Sequence, residues 1–252
     1  MNGDGRKRVA LVTGSGKRRV GNAIAHALAD RGFHLAVGYR HSAREARETV
    51  EALRQRGVEA EAFQADVAIE ADVHRLFHEV MDRFGRLDVL VTAAAIWEPK
   101  PLEQVTAADL IRHFEINALG TFLCCQQAGL IMAGQAEGGV IVTLGDWAVT
   151  RPYPGYAAYF PSKGAIPAMT RCLAVELARR NPAIRVNCVL PGPVMLPPEL
   201  SAEERREAIA GTLLGREGRP EHVAHAVLFF VENDFVTGVC LPVDGGRTIA
   251  GS

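Results

Sequence analysis

Several absences narrow the reading of this 252-residue sequence before any motif does. Charge of one sign is missing: 28 Lys+Arg stand against 29 Asp+Glu for a net −1, so no broad field attracts nucleic acid or an anionic membrane. No run approaches the roughly 20 apolar residues of a membrane span. The opening MNGDGRKR is polar and too short for a signal segment. There is no CxxC pair, and five cysteines (Cys124, Cys125, Cys172, Cys188, Cys240) are an odd number, which suits reduced thiols in a cytoplasmic protein. His74, His78 and Glu79 share helical spacing but lack a third ligand, so no metal is expected. Repeats, low-complexity blocks and linkers are also missing, which leaves one domain over residues 1–252, with a disordered-looking start at 1–7.

What is present is alternation. Short, nearly continuous apolar runs at 8–13, 34–38, 59–65, 87–92, 139–144, 184–190 and 239–242 read as strands buried on both faces. Amphipathic stretches at 21–30, 43–56, 69–84, 107–132, 156–179, 202–210 and 220–232 read as helices between them. The pattern predicts an α/β fold, a doubly wound parallel sheet of about seven strands with helices on both faces. Residues 191–215 carry Pro191, Pro193, Pro197 and Pro198 and then the charged SAEERREA, which predicts a mobile loop at the mouth of a site.

The first strand runs into Thr13-Gly-Ser-Gly-Lys-Arg-Arg-Val-Gly21 and then a helix. Gly14, Gly16 and Gly21 suit a turn where backbone approaches a pyrophosphate at a helix N-terminus. A P-loop is excluded, because GSGK lacks the x4 spacing and no Ser or Thr follows Lys17. An NAD site places an acid at the end of the second strand, on the ribose 2′-hydroxyl. Here that position reads Gly38-Tyr39-Arg40-His41-Ser42, and Lys17, Arg18 and Arg19 add more cations. The cluster suits a 2′-phosphate, so NADP(H) is the expected cofactor; the alternative for Arg40 and His41 is a solvated loop.

Taken in order, the TG-initiated turn, Asp66-Val67, Asn117 in INALGTF, Tyr159-x-x-x-Lys163, Pro191-Gly192 and Val243-Asp-Gly-Gly246 resemble the short-chain dehydrogenase/reductase family across essentially the whole chain. The resemblance implies a Rossmann-type dinucleotide fold, hydride transfer with nicotinamide and a homotetramer. It would put Asp66-Val67 and the Ala93-Ala94 backbone on the cofactor, and Pro191, Gly192 and Val194 near the nicotinamide. Within the family the chain looks most similar to pteridine reductases. An arginine, Arg18 or Arg19, replaces a turn glycine, and the second strand ends YRHSAREA. The usual catalytic serine position, 13 residues before the tyrosine, is Asp146, as in those enzymes, and MLPPELSAEER resembles their substrate loop. Trp97 falls on the phenylalanine that stacks pterin there, and an indole can stack a flat ring as well; the alternative is a packed loop tryptophan.

Lys163 follows Tyr159 by one helical turn, so the two share a face. A nearby ammonium predicts a tyrosine pKa below its usual ~10 and a phenol able to relay a proton. Tyr156 also faces Lys163 at a spacing that resembles enoyl-thioester reductases, whereas Tyr153 reads as loop packing or a pocket wall. An ionised Asp146 only accepts hydrogen bonds, which is poor for a plain ketone but suits the ring N–H and amino donors of a pterin. Asp146 and Tyr159 are therefore the expected proton-delivery pair, with Lys163 on the ribose and Asn117 steadying a water-linked path as in the family. The alternative for Asp146 is a cap. Two departures stand out: the family's Asn-Asn-Ala is Thr92-Ala93-Ala94, and a serine after it is Ala95. The expectation is an NADPH-dependent reductase of a pterin- or dihydrofolate-like heterocycle, with Arg19, Trp97, Asp146 and Tyr159 toward substrate. The rivals are a reductase of carbonyl compounds such as 3-oxoacyl thioesters and a non-catalytic NADP-binding regulator.

Overall fold

The computed structural model describes residues 7–196 and 200–250. Most of the expected N-terminal stretch (1–6) and residues 197–199 of the expected loop lie outside the described residues. Seven strands form one parallel sheet: β1 (Arg8–Thr13), β2 (Phe33–Tyr39), β3 (Ala60–Gln64), β4 (Val89–Thr92), β5 (Gly139–Leu144), β6 (Ile184–Pro191) and β7 (Cys240–Val243). Their order is β3-β2-β1-β4-β5-β6-β7, and every adjacent pair is parallel. All seven expected strands are present, with ends moved by a residue or two.

The side-chain period of two divides each strand between two cores. From β1, Ala10 and Val12 face α1 (Val20–Ala29) and α8 (Pro220–Glu232), while Leu11 faces the opposite layer. That second layer holds α3 (Glu70–Phe84), α5 (Gly120–Ala133) and α6 (Tyr159–Ala178). Burial on both faces is why these strands read as unbroken apolar runs. Successive crossovers run outward from β1 in one direction to β3 and from β4 in the other to β7. The switch point between β1 and β4 leaves a crevice at the strands' C-terminal ends, where ligands of such sheets bind.

The stretch expected as one helix over 107–132 is three pieces: α4 (Ala107–His113), a π-helical segment (Phe114–Leu119) and α5. A capping box starts it, with Thr106 Oγ1 accepting from Asp109 N and Asp109 Oδ2 accepting from Thr106 N at 2.8 Å. Residues Ala107–Ala133 are long and apolar enough to cross a membrane by composition, yet most of that span is buried as a core helix. Helix α6 begins at Tyr159 rather than 156, and Pro161 sits in its first turn, where a missing donor costs least. Helix α2 (Ala43–Arg54) follows β2, and α7 (Ala202–Ala210) follows the 191–201 segment.

Candidate active site

At the end of β1 the chain turns under a tight steric constraint. Gly14 has φ +65°, and a Cβ there would lie 2.8 Å from the backbone of Ala94. A Cβ on Gly21 would lie 2.8 Å from the Gly14 carbonyl. The floor of this cradle is braced by side chains the sequence reading passed over. Thr13 Oγ1 accepts from Ala93 N (3.1 Å) and Ala94 N (3.2 Å), so the Thr92-Ala93-Ala94 strand end is held through β1. Ser15 donates to Val12 O, Thr49 to Gly16 O, and Asn22 to Thr49 Oγ1, all buried.

Above this turn opens a cavity of about 370 Å³. Gly14, Arg19 and Gly21 line it from the turn, Tyr39 and Arg40 from β2, and Asp66 and Val67 from the end of β3. Ala93, Ala94 and Val194 line the remaining walls, and Ile96 and Met195 join them unforeseen. Arg19, not Arg18, is the turn arginine that reaches the cavity. Lys17, Arg18 and His41 are exposed outside it, so the expected cation cluster reduces at the wall to Arg19 and Arg40. Ser42 stands at the N-cap of α2 beside Gly16 and also lies off the lining. Arg40 is not free: its Nε lies 2.9 Å from Asp66 Oδ2, and Asp66 Oδ1 accepts from Ala68 N. The absence of an acid from the β2 end is thus partly offset by an acid arriving from β3. Pro191 ends β6 and Gly192 packs on Asp244, and neither lines the cavity.

The crevice fits a dinucleotide by its own chemistry. It pairs a glycine cradle that a Cβ would fill with the N-terminus of α1 and two guanidinium groups at the wall. Gly14 and Gly21 would take the pyrophosphate, and Arg40 the 2′ end of the adenosine.

The chemically reactive groups sit further along, at the end of β5 and the start of α6. Tyr159 is buried, and its hydroxyl donates to Asp146 Oδ2 at 2.8 Å. Asp146 Oδ1 accepts from Ala148 N at 2.8 Å, so the carboxylate also caps the short helical turn Trp147–Val149. The cap and the tyrosine contact were alternatives from sequence; the two oxygens divide them. Lys163 is buried and donates to the Leu144 carbonyl at 2.8 Å. It shares the helix face with Tyr159, as the spacing predicts.

The expected lowering of the Tyr159 pKa is corrected. Burial first, and then the Asp146 charge that the phenol already serves, push Tyr159 well above the usual tyrosine value. Burial pushes Lys163 down and Asp146 up, the latter opposed by its bonds from Ala148 and Tyr159. Desolvation outweighs ammonium attraction here because the lysine's nearest partner is a carbonyl rather than the phenol.

Asn117 lies in the π-helical segment, whose wider turn carries its side chain across to neighbouring elements. Its Oδ1 accepts from Ile96 N (2.9 Å), while Nδ2 donates to Ile96 O and Ser162 Oγ (both 3.0 Å). Ser162 in turn donates to the Tyr159 carbonyl. The loop after β4 and the first turn of α6 are therefore joined through one amide.

Trp97 stacks on Tyr156, centroids 4.7 Å apart and 17° between planes, so one indole face is covered by the protein. Tyr156 packs edge-on against Tyr153 (5.2 Å), and Tyr153 stacks on Trp147 (6.2 Å). These rings, with Phe160 and Tyr159, form one apolar cluster beside Asp146. Burial pushes the Tyr156 phenol up to about 12 and raises the Tyr153 phenol as well. Tyr153 is wall packing, as its position before the helix suggests. Among the described residues no group of three His, Cys, Asp or Glu could hold a metal ion.

A parallel sheet with its switch point over a glycine cradle, and a Tyr-x-x-x-Lys pair at the start of α6 facing the end of the fifth strand, define a nicotinamide-type oxidoreductase. The comparisons agree: residues 15–248 match a family model described as Enoyl-(Acyl carrier protein) reductase. The chain belongs to the short-chain dehydrogenase/reductase family. It is 37% identical to the human 3-oxoacyl-[acyl-carrier-protein] reductase over 241 residues, covering 95% of this chain and 97% of that one. It is 35% identical to the hydroxynaphthalene reductase of Aspergillus fumigatus, over 90% of this chain and 86% of that one. The structure of acetoin dehydrogenase from Enterobacter cloacae superposes with a TM-score of 0.87 at 30% identity, covering 98% of both chains. These relatives are reductases and dehydrogenases of carbonyl and hydroxy compounds in name, so the likeness narrows the class to the family and not to pteridine reductases.

Proposed function

We propose that this oxidoreductase is NADP(H)-dependent and reduces a flat nitrogen heterocycle of pterin or dihydrofolate type. The observation that carries the reading is the 2.8 Å bond from Tyr159 to Asp146 beside an aromatic cluster. When bound, the cofactor would supply a hydride to carbon of a C=N bond, which would leave the ring nitrogen in need of one proton. Tyr159 holds that proton, kept on the phenol by burial and by the carboxylate it faces. Asp146 accepts from substrate N–H and amino groups, which a serine hydroxyl would do less strongly. Lys163 is a buried cation within reach of the Leu144 end of β5, placed to hold a ribose hydroxyl and to replace the proton that Tyr159 gives up. Trp97 and Tyr156 offer a flat wall, and Arg19 stands at the cavity edge.

A second reading has a specific observation behind it. Desolvation pushes Asp146 toward its protonated form, and a carboxylic acid can donate to a carbonyl as a serine does. That form would suit carbonyl substrates of the kind the relatives' names describe. NADPH oxidation with a dihydropterin, a dihydrofolate and a 3-oxoacyl thioester side by side separates the two. Faster turnover of the heterocycles supports the first reading, and faster turnover of the thioester supports the second. NADPH binding without any turnover would make the protein a cofactor-binding regulator.

The proposed assembly is a homotetramer in the cytoplasm. Two apolar faces support two kinds of contact: Leu110, Ile111, Phe114, Phe122 and Val175 on α4 to α6, and Phe229, Phe235 and Val239 by α8 and β7. All five cysteines are free thiols, consistent with a reducing compartment.

A further inference from the structure

The C-terminal turn after β7 reaches back to the candidate active site. Asp244, buried, folds that turn: its Oδ2 accepts from Thr248 N and Oγ1 (both 2.6 Å) and its Oδ1 from Gly246 N (2.9 Å). The turn projects Arg247 between two elements that no sequence motif connects. On one side its guanidinium carbon lies 4.8 Å from the centre of the Trp147 indole. On the other, Nη1 donates to the Ala208 carbonyl, and more weakly to that of Glu207 (3.4 Å), at the C-terminal end of α7. A cation at that end also meets the negative pole of the helix. Arg151 donates to the Arg247 and Ala250 carbonyls, closing the turn onto the loop after β5.

Trp147 directly follows Asp146 and stacks on Tyr153, which packs against Tyr156 under Trp97. Displacing the guanidinium therefore frees both the substrate-side helix and the corner that aims the carboxylate. We propose that Arg247 is a positioning residue for the substrate: it ties α7 to the aromatic wall and fixes the Asp146-Trp147 corner. The inference rests on the proposed active site but not on which substrate fills it.

Two variants test it by independent routes. Arg247→Met removes the charge and the donors. Gly211→Ala leaves Arg247 in the chain but places a methyl 2.0 Å from its Nη1, at a residue whose φ of −73° accepts alanine. The chain has two tryptophans, Trp97 and Trp147, so in a Trp97→Phe background emission reports Trp147 alone. Each variant is expected to shift that emission to longer wavelength and, with Trp97 present, to raise KM roughly 3- to 10-fold, as loss of a partly desolvated cation–π contact implies. The NADPH Kd should be unchanged, whereas general loosening would weaken the cofactor together with the substrate. KM is read on whichever panel compound turns over, and emission needs no substrate. If no heterocycle reacts but the emission shift appears, the substrate reading fails and the Arg247 tie stands. Unchanged emission in both variants, or a shift with no rise in KM, overturns the inference.

Discussion

The phenol of Tyr159 donates to Asp146 at 2.8 Å, while the Lys163 ammonium, one turn further along the same helix, donates to the Leu144 carbonyl at 2.8 Å. The hydrogen-bond partner of the phenol is therefore the carboxylate, while the lysine on the same helix face bonds a backbone carbonyl. Both contacts use the end of β5, so one strand terminus sets the geometry of three ionisable groups. Burial raises the proton affinity of Asp146 and Tyr159 and lowers that of Lys163, and all three shifts favour neutral forms.

The first prediction concerns pH and stability. Asp146 has a raised folded-state pKa, so the folded state binds its proton more tightly than the unfolded chain does. That contribution is full below the unfolded value near 3.8 and is lost as pH rises through the folded value. At neutral pH the desolvated charge is a cost, which Asp146→Asn removes while keeping an acceptor. The variant's Tm should exceed that of the parent at pH 7, and the gap should close toward pH 4. A gap independent of pH would mean that the carboxylate is not desolvated.

The proposed preference for NADP(H) rests on Arg40. Replacing it with aspartate puts a second acid beside Asp66, 2.9 Å from the present guanidinium position. Arg40→Asp should weaken NADPH by ~10-fold or more, the scale of one charge-assisted contact, with little loss for NADH. Titration of both cofactors by fluorescence measures it, and equal losses would remove the 2′-phosphate from Arg40.

Much of this fold is legible in the sequence because burial on two faces writes strands as continuous apolar runs, and each run expected is a strand. The Tyr159–Lys163 face follows from helical spacing alone. What was not legible depends on long-range contact. The π-helical turn at Phe114–Leu119 leaves no compositional mark, yet it decides where Asn117 points. The Arg40–Asp66 pair joins residues 26 apart through the register of β2 and β3, so the basic run after β2 looks freer than it is. Spacing shows that a cation lies near Tyr159 but not that burial outweighs it, so the phenol shifts up where the spacing alone predicts down. A threonine before the turn glycine was the available signal for the Thr13 brace at Ala93 and Ala94.

Gly14 supplies a third prediction. With φ +65° and backbone 2.8 Å from a would-be Cβ, Gly14→Ala forces the turn away from Ala94. The cost is about 1–3 kcal/mol of stability, read by denaturant titration, together with loss of NADPH binding. A variant with parental stability and affinity would show that the turn does not approach Ala94 this closely.

Trp97 supplies the fourth. Its indole is stacked on Tyr156 at 4.7 Å, and a substrate ring would extend that stack. Trp97→Ala should raise KM for an aromatic heterocycle roughly 3- to 10-fold, the worth of an aromatic pair. Trp97→Phe should recover most of the loss. An unchanged KM in the alanine variant would return Trp97 to wall packing.

The central claim is that Asp146 serves a substrate bearing N–H donors, and its most direct test is steady-state NADPH oxidation by the parent and by Asp146→Ser. A dihydropterin and a 3-oxoacyl thioester should be assayed at saturating cofactor. The account predicts turnover of the pterin by the parent and a fall of ~100-fold or more with serine, since one stabilising contact at the reacting group is worth that much. Thioester turnover should be slow in the parent and no worse in the variant. Parent activity on the thioester that survives or improves with serine, with no pterin turnover in either protein, would contradict it.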